Sequence, residues 1–172
     1  MAVAYGSANV FLALAWRRLL AFFDLHVQPA WAVRAYGLSQ VAKYVPGNIF
    51  HLAGRQAIGM AAGLPAWPLG KSAVWELGLI SACGAFFAAL TIPMLWPACP
   101  AVASFGIFAL LTAAFVAGLR WFISIDVSRA ALWQMAFLTV SAIVFAGMVF
   151  VVEDVADPLL LLPRIGGAYI IA

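Results

Sequence analysis

The run KYVPGNIFHLAGR, from Lys43 to Arg55, decides how this chain folds, because it combines a helix break with charge inside an otherwise almost wholly apolar sequence. No helix runs unbroken through Pro46-Gly47, since proline removes a backbone donor and clashes with the preceding turn, and glycine has low helix propensity. A broken, charged segment among apolar helices is typical of a functional site in a membrane protein. We therefore interpret the surrounding helices as the scaffold of this segment.

The composition around this run is that of a membrane protein. Of 172 residues, 67% are hydrophobic and 9% are charged. In a soluble domain about a quarter of the residues are charged. The nine basic residues are spread over many loops and form no stripe for nucleic acid. The two cysteines form neither a CxxC pair nor a cluster with histidine, so the sequence predicts no disulfide framework, no metal and no cofactor.

Apolar runs predict an all-α fold, a polytopic membrane helix bundle. From Leu77 to Leu119 the chain carries no charge over 43 residues, about twice the length that one crossing needs. Prolines near the middle of this run divide it into a helical hairpin. The predicted spans are 3–23, 72–93, 101–119, 130–152 and, in part, 159–172. We expect a proline-rich turn at 64–68 and a charged loop at 120–129.

Residues 30–63 contain the break and are predicted to form a re-entrant or interfacial helix pair. Residues 30–43 have an amphipathic pattern, and a second short apolar helix follows at 48–63. If the hairpin crosses twice, every basic loop falls on one side, which the positive-inside rule makes cytoplasmic. The pair then dips into the membrane and returns. Gly59 and Gly63, four residues apart, would allow a neighbouring helix to approach closely.

The charges near the break are the candidate site for an anionic lipid headgroup. Arginine presents a planar fork that suits phosphate, the start of the second short helix offers free amides, and residues four apart share a helical face. The predicted substrate-binding residues are Lys43, Asn48, His51, Arg55 and Glu76, with Pro46 and Gly47 as the structural break. The alternative, that Lys43 and Arg55 lie at the cytoplasmic interface and fix topology, remains open.

The acidic residues have expected partners. Glu76 is expected to pair with Arg55 or Lys71 inside the bundle, because an unpaired carboxylate at that depth is costly. The alternative is an acid in the first helical turn, which the helix dipole would favour. Asp126 is expected to neutralise Arg129 or Arg120 in an exposed loop.

A family resemblance adds to these patterns. The run QVAKYVPGN at 40–48, followed by His51 and Gly54-Arg55, resembles the lysylphosphatidylglycerol synthase transmembrane regions, also called flippase-like integral membrane proteins. Gly63-Leu64-Pro65 and Glu76 match further family features. The resemblance implies a multi-pass protein of the bacterial or archaeal plasma (inner) membrane, which moves modified phospholipids or lipid-linked intermediates between leaflets.

The resemblance also implies two related halves. The second Pro-Gly motif of the family, with its G-x-G-x-R-E run, does not occur before Ala172, and no aminoacyl-transferase domain is present. We therefore expect residues 1–172 to be a single integral membrane domain and a fragment of a larger two-half protein.

Three functions remain open from the sequence. The first is a flippase-like protein that binds membrane lipids through their anionic headgroups. The second is a membrane-embedded lipid-modifying enzyme subunit, although no G-x-S-x-G, H-E-x-x-H or paired-carboxylate pattern occurs and no catalytic residue is predicted. The third is a non-catalytic membrane scaffold. The partners are membrane lipids and not nucleic acid, and assembly into a homo-oligomer is left open.

Overall fold

A computed structural model describes residues 2–41, 50–96 and 98–153 of the chain, and every regular element in this part is a helix. The helices are α1 (Ala2–Phe22), α2 (Pro29–Val41), α3 (Phe50–Ala61), α4 (Ala66–Phe86), α5 (Ile92–Leu95), α6 (Ala101–Phe122) and α7 (Ile125–Glu153). A 3₁₀ segment, Phe87–Thr91, joins α4 to α5. The predicted all-α fold is confirmed, whereas the Pro46-Gly47 break and the partial span at 159–172 lie outside the described residues.

Three helices are long and apolar enough to cross a membrane, namely Ala66–Thr91, Ala101–Phe122 and Ile125–Met148. They correspond to the predicted hairpin and to the predicted span at 130–152. The predicted span at 3–23 is present as α1, which carries Arg17 and Arg18 in its last two turns. Because α1 is not among the three helices, its crossing stays a prediction, as does the re-entrant path of α2 and α3.

The surface of α6 is largely apolar. Large apolar side chains point outward along its length, and Leu110 is 70% exposed. The buried residues of α6 are Ser104 and Leu119, so a polar side chain lies inside while apolar ones cover the outside. This pattern is unfavourable in water and favourable in a bilayer, where the surroundings are as apolar as the side chains.

Two predicted boundaries were wrong at helix starts. The proline-rich turn at 64–68 is not a turn throughout, because α4 begins at Ala66 after the N-cap residue Pro65 and contains Pro68 in its first turn. Proline is tolerated there because the first-turn amides have no intrahelical acceptor. The span predicted at 72–93 therefore begins six residues earlier.

The charged loop predicted at 120–129 was also wrong. The helix α6 extends to Phe122 and α7 begins at Ile125, so only two residues separate them. The hydroxyl of Ser124 accepts hydrogen bonds from the backbone amides of Asp126 and Val127, each at 3.1 Å, and so caps α7. A short polar cap replaces the expected loop.

The helix α1 lies between two hydrophobic clusters. It packs along α7 and also contacts α2 and α4. One cluster, around Leu19 and Leu79, joins α1 to α4, α6 and α7. The other, around Trp16 and Leu69, joins α1 to α2 and α4. The second cluster holds the two short helices α2 and α3 against the spanning helices.

The two glycines of α3 and its following turn have different roles. Gly59 is buried against Leu69 of α4, and a Cβ added there would lie 2.8 Å from a Leu69 methyl carbon. Gly63 has φ +84° and ends α3, with the Leu64 amide donating to the Gly59 carbonyl at 3.1 Å. The close helix approach predicted from this pair therefore occurs at Gly59, whereas Gly63 supplies a left-handed turn.

Candidate functional site

The most buried charges in the described part of the chain form an ion pair between α3 and α4. Arg55 is 0% exposed and Glu76 is 5% exposed. The Arg55 Nη1 atom donates to Glu76 Oε1 at 3.0 Å, and Nη2 donates to Oε2 in a second, shorter contact. The carboxylate therefore binds the end of the guanidinium fork with both oxygens, which is the strong bidentate form of this interaction.

Aromatic residues from two other helices complete the surroundings of the pair. Tyr36 on α2 donates its hydroxyl to Glu76 Oε1 at 2.9 Å. The Arg55 Cζ atom lies 4.5 Å from the ring centroid of Tyr36 and 4.9 Å from that of Trp16 on α1. Both distances fit cation–π contacts, which gain strength where water is excluded. Four helices thus meet at one guanidinium.

A second layer of hydrogen bonds fixes the helices that carry the pair. The Trp16 indole N–H donates to the Ser72 hydroxyl at 3.2 Å, and Ser72 donates to the Leu69 carbonyl at 2.7 Å. Gln134 on α7 donates its side-chain amide to the backbone carbonyl of Glu76 at 3.1 Å. Buried polar groups need such partners, because an unmade hydrogen bond costs more than a made one contributes.

One donor of Arg55 is not satisfied by any of these groups. The buried Nε atom has no hydrogen-bond partner within residues 2–41, 50–96 and 98–153. Glu76 occupies the end of the fork, so the side edge that contains Nε is left without an acceptor. Leaving a buried donor unpaired costs about 1–3 kcal/mol. A phosphate or carboxylate oxygen would satisfy this nitrogen.

The short helix α3 depends on few contacts with α4. Besides the ion pair, Gln56 donates its side-chain amide to the Leu69 carbonyl at 3.1 Å, and Gly59 packs on the Leu69 side chain. Both contacts lie within one turn of Arg55 on α3. The ion pair is therefore a main attachment of α3 to the spanning helix.

The predicted pairing of Glu76 with Arg55 is found in the structure, whereas the alternative partner is not used. The Lys71 ammonium lies instead over two aromatic rings, 5.1 Å from the centroid of Trp67 and 5.7 Å from that of Phe23. The alternative role of Glu76 as a first-turn acid was wrong, because α4 begins at Ala66 and Glu76 lies well inside it.

The other predicted site residues are only partly described. His51 lies on α3 one turn before Arg55 and is half-buried. Lys43, Asn48, Pro46 and Gly47 lie outside the described residues. The predicted exposed pairing of Asp126 was also wrong: its carboxylate Oδ1 lies 3.4 Å from Arg18 Nη1, so the partner is on α1 and not Arg120 or Arg129.

Sequence reasoning missed three members of the site, Trp16, Tyr36 and Gln134. Gln134 had a usable signal, since an amide that is the fifth residue of a 23-residue uncharged run requires a partner in the bundle. Tyr36 and Trp16 had none, because interfacial and core aromatics look alike in a sequence. The buried hydroxyls of Ser39 and Ser72 both donate to carbonyls of their own helices.

The geometry defines a buried ion pair where four helices meet, in a helical protein with three apolar helices of spanning length. Its cation is already bound by a carboxylate from one side and covered by aromatic rings. No protein-family model, curated protein or solved structure matches this chain.

Proposed function

We propose that this chain is a flippase-like integral membrane protein that binds anionic phospholipids or lipid-linked intermediates at Arg55 and moves them between leaflets. The observation that carries the proposal is the state of Arg55: it is fully buried, Glu76 binds the end of its fork, and its Nε has no acceptor among the residues that the structure describes. Charged residues inside a membrane protein are costly and mark substrate pathways by default.

The headgroup phosphate fits the side edge of Arg55. Phosphate oxygens accept parallel hydrogen bonds from a guanidinium, as a carboxylate does. An oxygen at Nε would pair this unsatisfied donor, and its charge would compete with Glu76 for Nη2. The guanidinium then keeps a partner throughout, which avoids the cost of about 3–5 kcal/mol for an uncompensated buried charge.

The short helix α3 is the element that would move. It has 12 residues and is held on α4 chiefly by the ion pair, Gln56 and Gly59. Weakening the Arg55–Glu76 contact by a competing phosphate would loosen α3 and open a path for the headgroup, while acyl tails stay in the bilayer. Binding and opening are thereby coupled through one pair of side chains.

The proposal extends to the family and to the rest of the predicted site. We assign the chain to the lysylphosphatidylglycerol synthase transmembrane family on its resemblance at 40–55, with the basic loops on the cytoplasmic side of the plasma membrane. Lys43, Asn48 and His51 are proposed to line the headgroup path beside Arg55 and Glu76. The anionic lipids themselves are the proposed partners.

A non-catalytic scaffold is the second candidate. This candidate is favoured by the full burial of Arg55, because a purely structural ion pair does not have to be reached by a ligand. The two candidates differ in what happens when both charges are removed together. A structural pair can be replaced by apolar side chains of similar volume, often without loss of stability. If the pair is a headgroup site, the same replacement abolishes lipid transport.

The deciding experiment places the full 172-residue chain in liposomes with fluorescently labelled phosphatidylglycerol and measures the rate at which label leaves the outer leaflet. The wild-type chain should accelerate exchange, and the double variant Arg55→Met with Glu76→Leu should be inactive. Arg34→Gln, an exposed arginine on α2, is the control for a lost positive charge. Its exchange rate should equal the wild-type rate.

Correct insertion of each variant is checked by protease protection in the same liposomes. A folded, inserted double variant that exchanges lipid at the accelerated wild-type rate would overturn the Arg55 site and leave the ion pair a structural role only. A wild-type chain that leaves the exchange rate unchanged would overturn the transport function itself.

A further inference from the structure

A second basic site lies away from Arg55, at the end of the bundle where α1 ends and α7 begins. A cleft of about 270 Å³ is lined there by Arg17, Arg18, His26, Asp126 and Arg129. We define these five side chains as the basic cleft. Its walls come from two helices and the connection that follows α1, so it is formed by tertiary packing and not by one helix surface.

The arginines of the basic cleft are held in different ways. Arg17 donates its Nε to the Val27 carbonyl at 3.0 Å, which fixes its stem against the connection after α1. Arg18 reaches Asp126 at 3.4 Å, and both side chains remain about 30% exposed. Arg129 lies one turn after Asp126 on α7 and is exposed. The cleft is therefore partly organised before any ligand binds.

The charges of the basic cleft are unbalanced. Three guanidinium groups and a single carboxylate line the cleft, and the exposed imidazole of His26 adds a further donor or acceptor. Asp126 neutralises only part of this positive charge, since among the described arginines its carboxylate contacts only Arg18, at 3.4 Å. Clustered arginines with free forks are suited to phosphate, which accepts several charge-assisted hydrogen bonds at once.

The position of the basic cleft favours a phosphate that belongs to a lipid. At the same end of the bundle, Trp67 at the start of α4 is 74% exposed and Trp121 at the end of α6 is 85% exposed. Lys71 lies beside Trp67 at 5.1 Å. Exposed tryptophans with lysines mark the level of the headgroups. A cleft at this level meets lipid phosphates directly.

We propose that the basic cleft is a second, surface-accessible binding site for a phosphate group, held as the headgroup of an anionic phospholipid. This site is separate from the Arg55 site and does not depend on lipid transport. Arg18 and Arg129 bind the phosphate oxygens from the two helices, and Arg17 supplies a further positive charge. Asp126 is the internal competitor, because its carboxylate occupies Arg18 when no phosphate does.

The test uses the full chain in detergent and native mass spectrometry, with dioleoylphosphatidylglycerol titrated against dioleoylphosphatidylcholine. Arg129→Gln should weaken binding of the anionic lipid at least about fivefold, because it removes a direct charge-assisted hydrogen bond from the cleft to the phosphate. Asp126→Asn should strengthen it by a similar factor, because it removes the competing carboxylate. A gain in affinity is not expected from a residue with only a structural role.

Arg120→Gln is the matched control, since Arg120 is an exposed arginine at the same end of the bundle and does not line the basic cleft. It should leave the affinity within about twofold of wild type. An equal loss for Arg120→Gln and Arg129→Gln would overturn the site in favour of diffuse surface charge. Unchanged or weaker binding by Asp126→Asn would also overturn it.

A second arm identifies the source of the phosphate. Inorganic phosphate and glycerol phosphate are added as competitors to the lipid-bound chain. Weak competition at millimolar concentration supports the lipid headgroup. Complete displacement at micromolar concentration would overturn the lipid assignment and identify a soluble phosphate ligand instead.

Discussion

Gln134 donates its side-chain amide to the backbone carbonyl of Glu76 across the interface of α7 and α4, at 3.1 Å. Gln134 on α7 thus fixes the backbone of Glu76, while the carboxylate of Glu76 faces Arg55 and Tyr36. The acidic half of the pair belongs to the long helix α4, and the basic half belongs to the short helix α3. Any movement at this site is therefore expected to carry Arg55 away from Glu76.

The first prediction concerns the stability of the ion pair. Arg55→Met alone should lower the free energy of unfolding by about 3–5 kcal/mol, because it leaves the buried Glu76 carboxylate without its cation. Adding Glu76→Leu should restore most of the loss, since two apolar side chains no longer require pairing. Thermal unfolding in detergent, monitored by circular dichroism, measures the change in unfolding free energy for Arg55→Met and for the double variant.

Arg34→Met is the control for this cycle, because Arg34 is exposed on α2, and it should change stability by less than about 0.5 kcal/mol. A double variant no more stable than Arg55→Met alone would contradict a coupled pair.

The second prediction concerns Tyr36. Tyr36→Phe keeps the ring beside Arg55 and removes the hydroxyl that donates to Glu76 Oε1. We expect a loss of about 1.5–3 kcal/mol, the contribution of a hydrogen bond to a charged group. In the Glu76→Gln background the loss should shrink, since the acceptor is then neutral. An equal loss in both backgrounds would show that the hydroxyl does not act through the carboxylate.

The third prediction concerns the turn after α3. Gly63→Ala should destabilise the chain by about 1–2 kcal/mol, because Gly63 has φ +84° and an L side chain is strained there. Gly37→Ala is the matched control, since Gly37 lies inside α2 with nothing within 4 Å of an added Cβ. That control should be neutral or stabilising by up to about 1 kcal/mol. Comparison of the two melting temperatures checks the left-handed turn.

The fourth prediction tests whether α6 lies in lipid. Leu110 is 70% exposed in the middle of α6, so Leu110→Arg would be harmless in water. At the centre of a bilayer the same change should oppose insertion by about 2.5–3.5 kcal/mol. Trp121→Arg, at the end of the same helix, should be tolerated because an arginine there reaches the interface. Glycosylation mapping of α6 in microsomes measures both, and equal insertion would count against a membrane location.

The membrane character and the helical class were predictable because they depend on local properties. An apolar run of spanning length has few possible structures other than a helix that crosses a membrane, and prolines in the middle of such a run divide it into two helices. Helix starts were less predictable: Pro65 and Pro68 resembled a turn, although proline also suits a first turn. Ser124 likewise allows α7 to start five residues earlier than its uncharged run at 130.

The sequence by itself determined the helical, apolar class of this protein and limited the expected partners of Glu76 to Arg55 and Lys71. Only the tertiary structure decided which cation does so, because Arg55 and Lys71 are both within reach of Glu76 along the chain and only the packing of α3 on α4 brings one guanidinium to the carboxylate. The basic cleft was likewise beyond the sequence, since Arg18 and Asp126 are 108 residues apart and meet only because α1 packs along α7. Local sequence patterns specify the helices and the buried polar groups that require a partner, and long-range packing determines which residue becomes that partner.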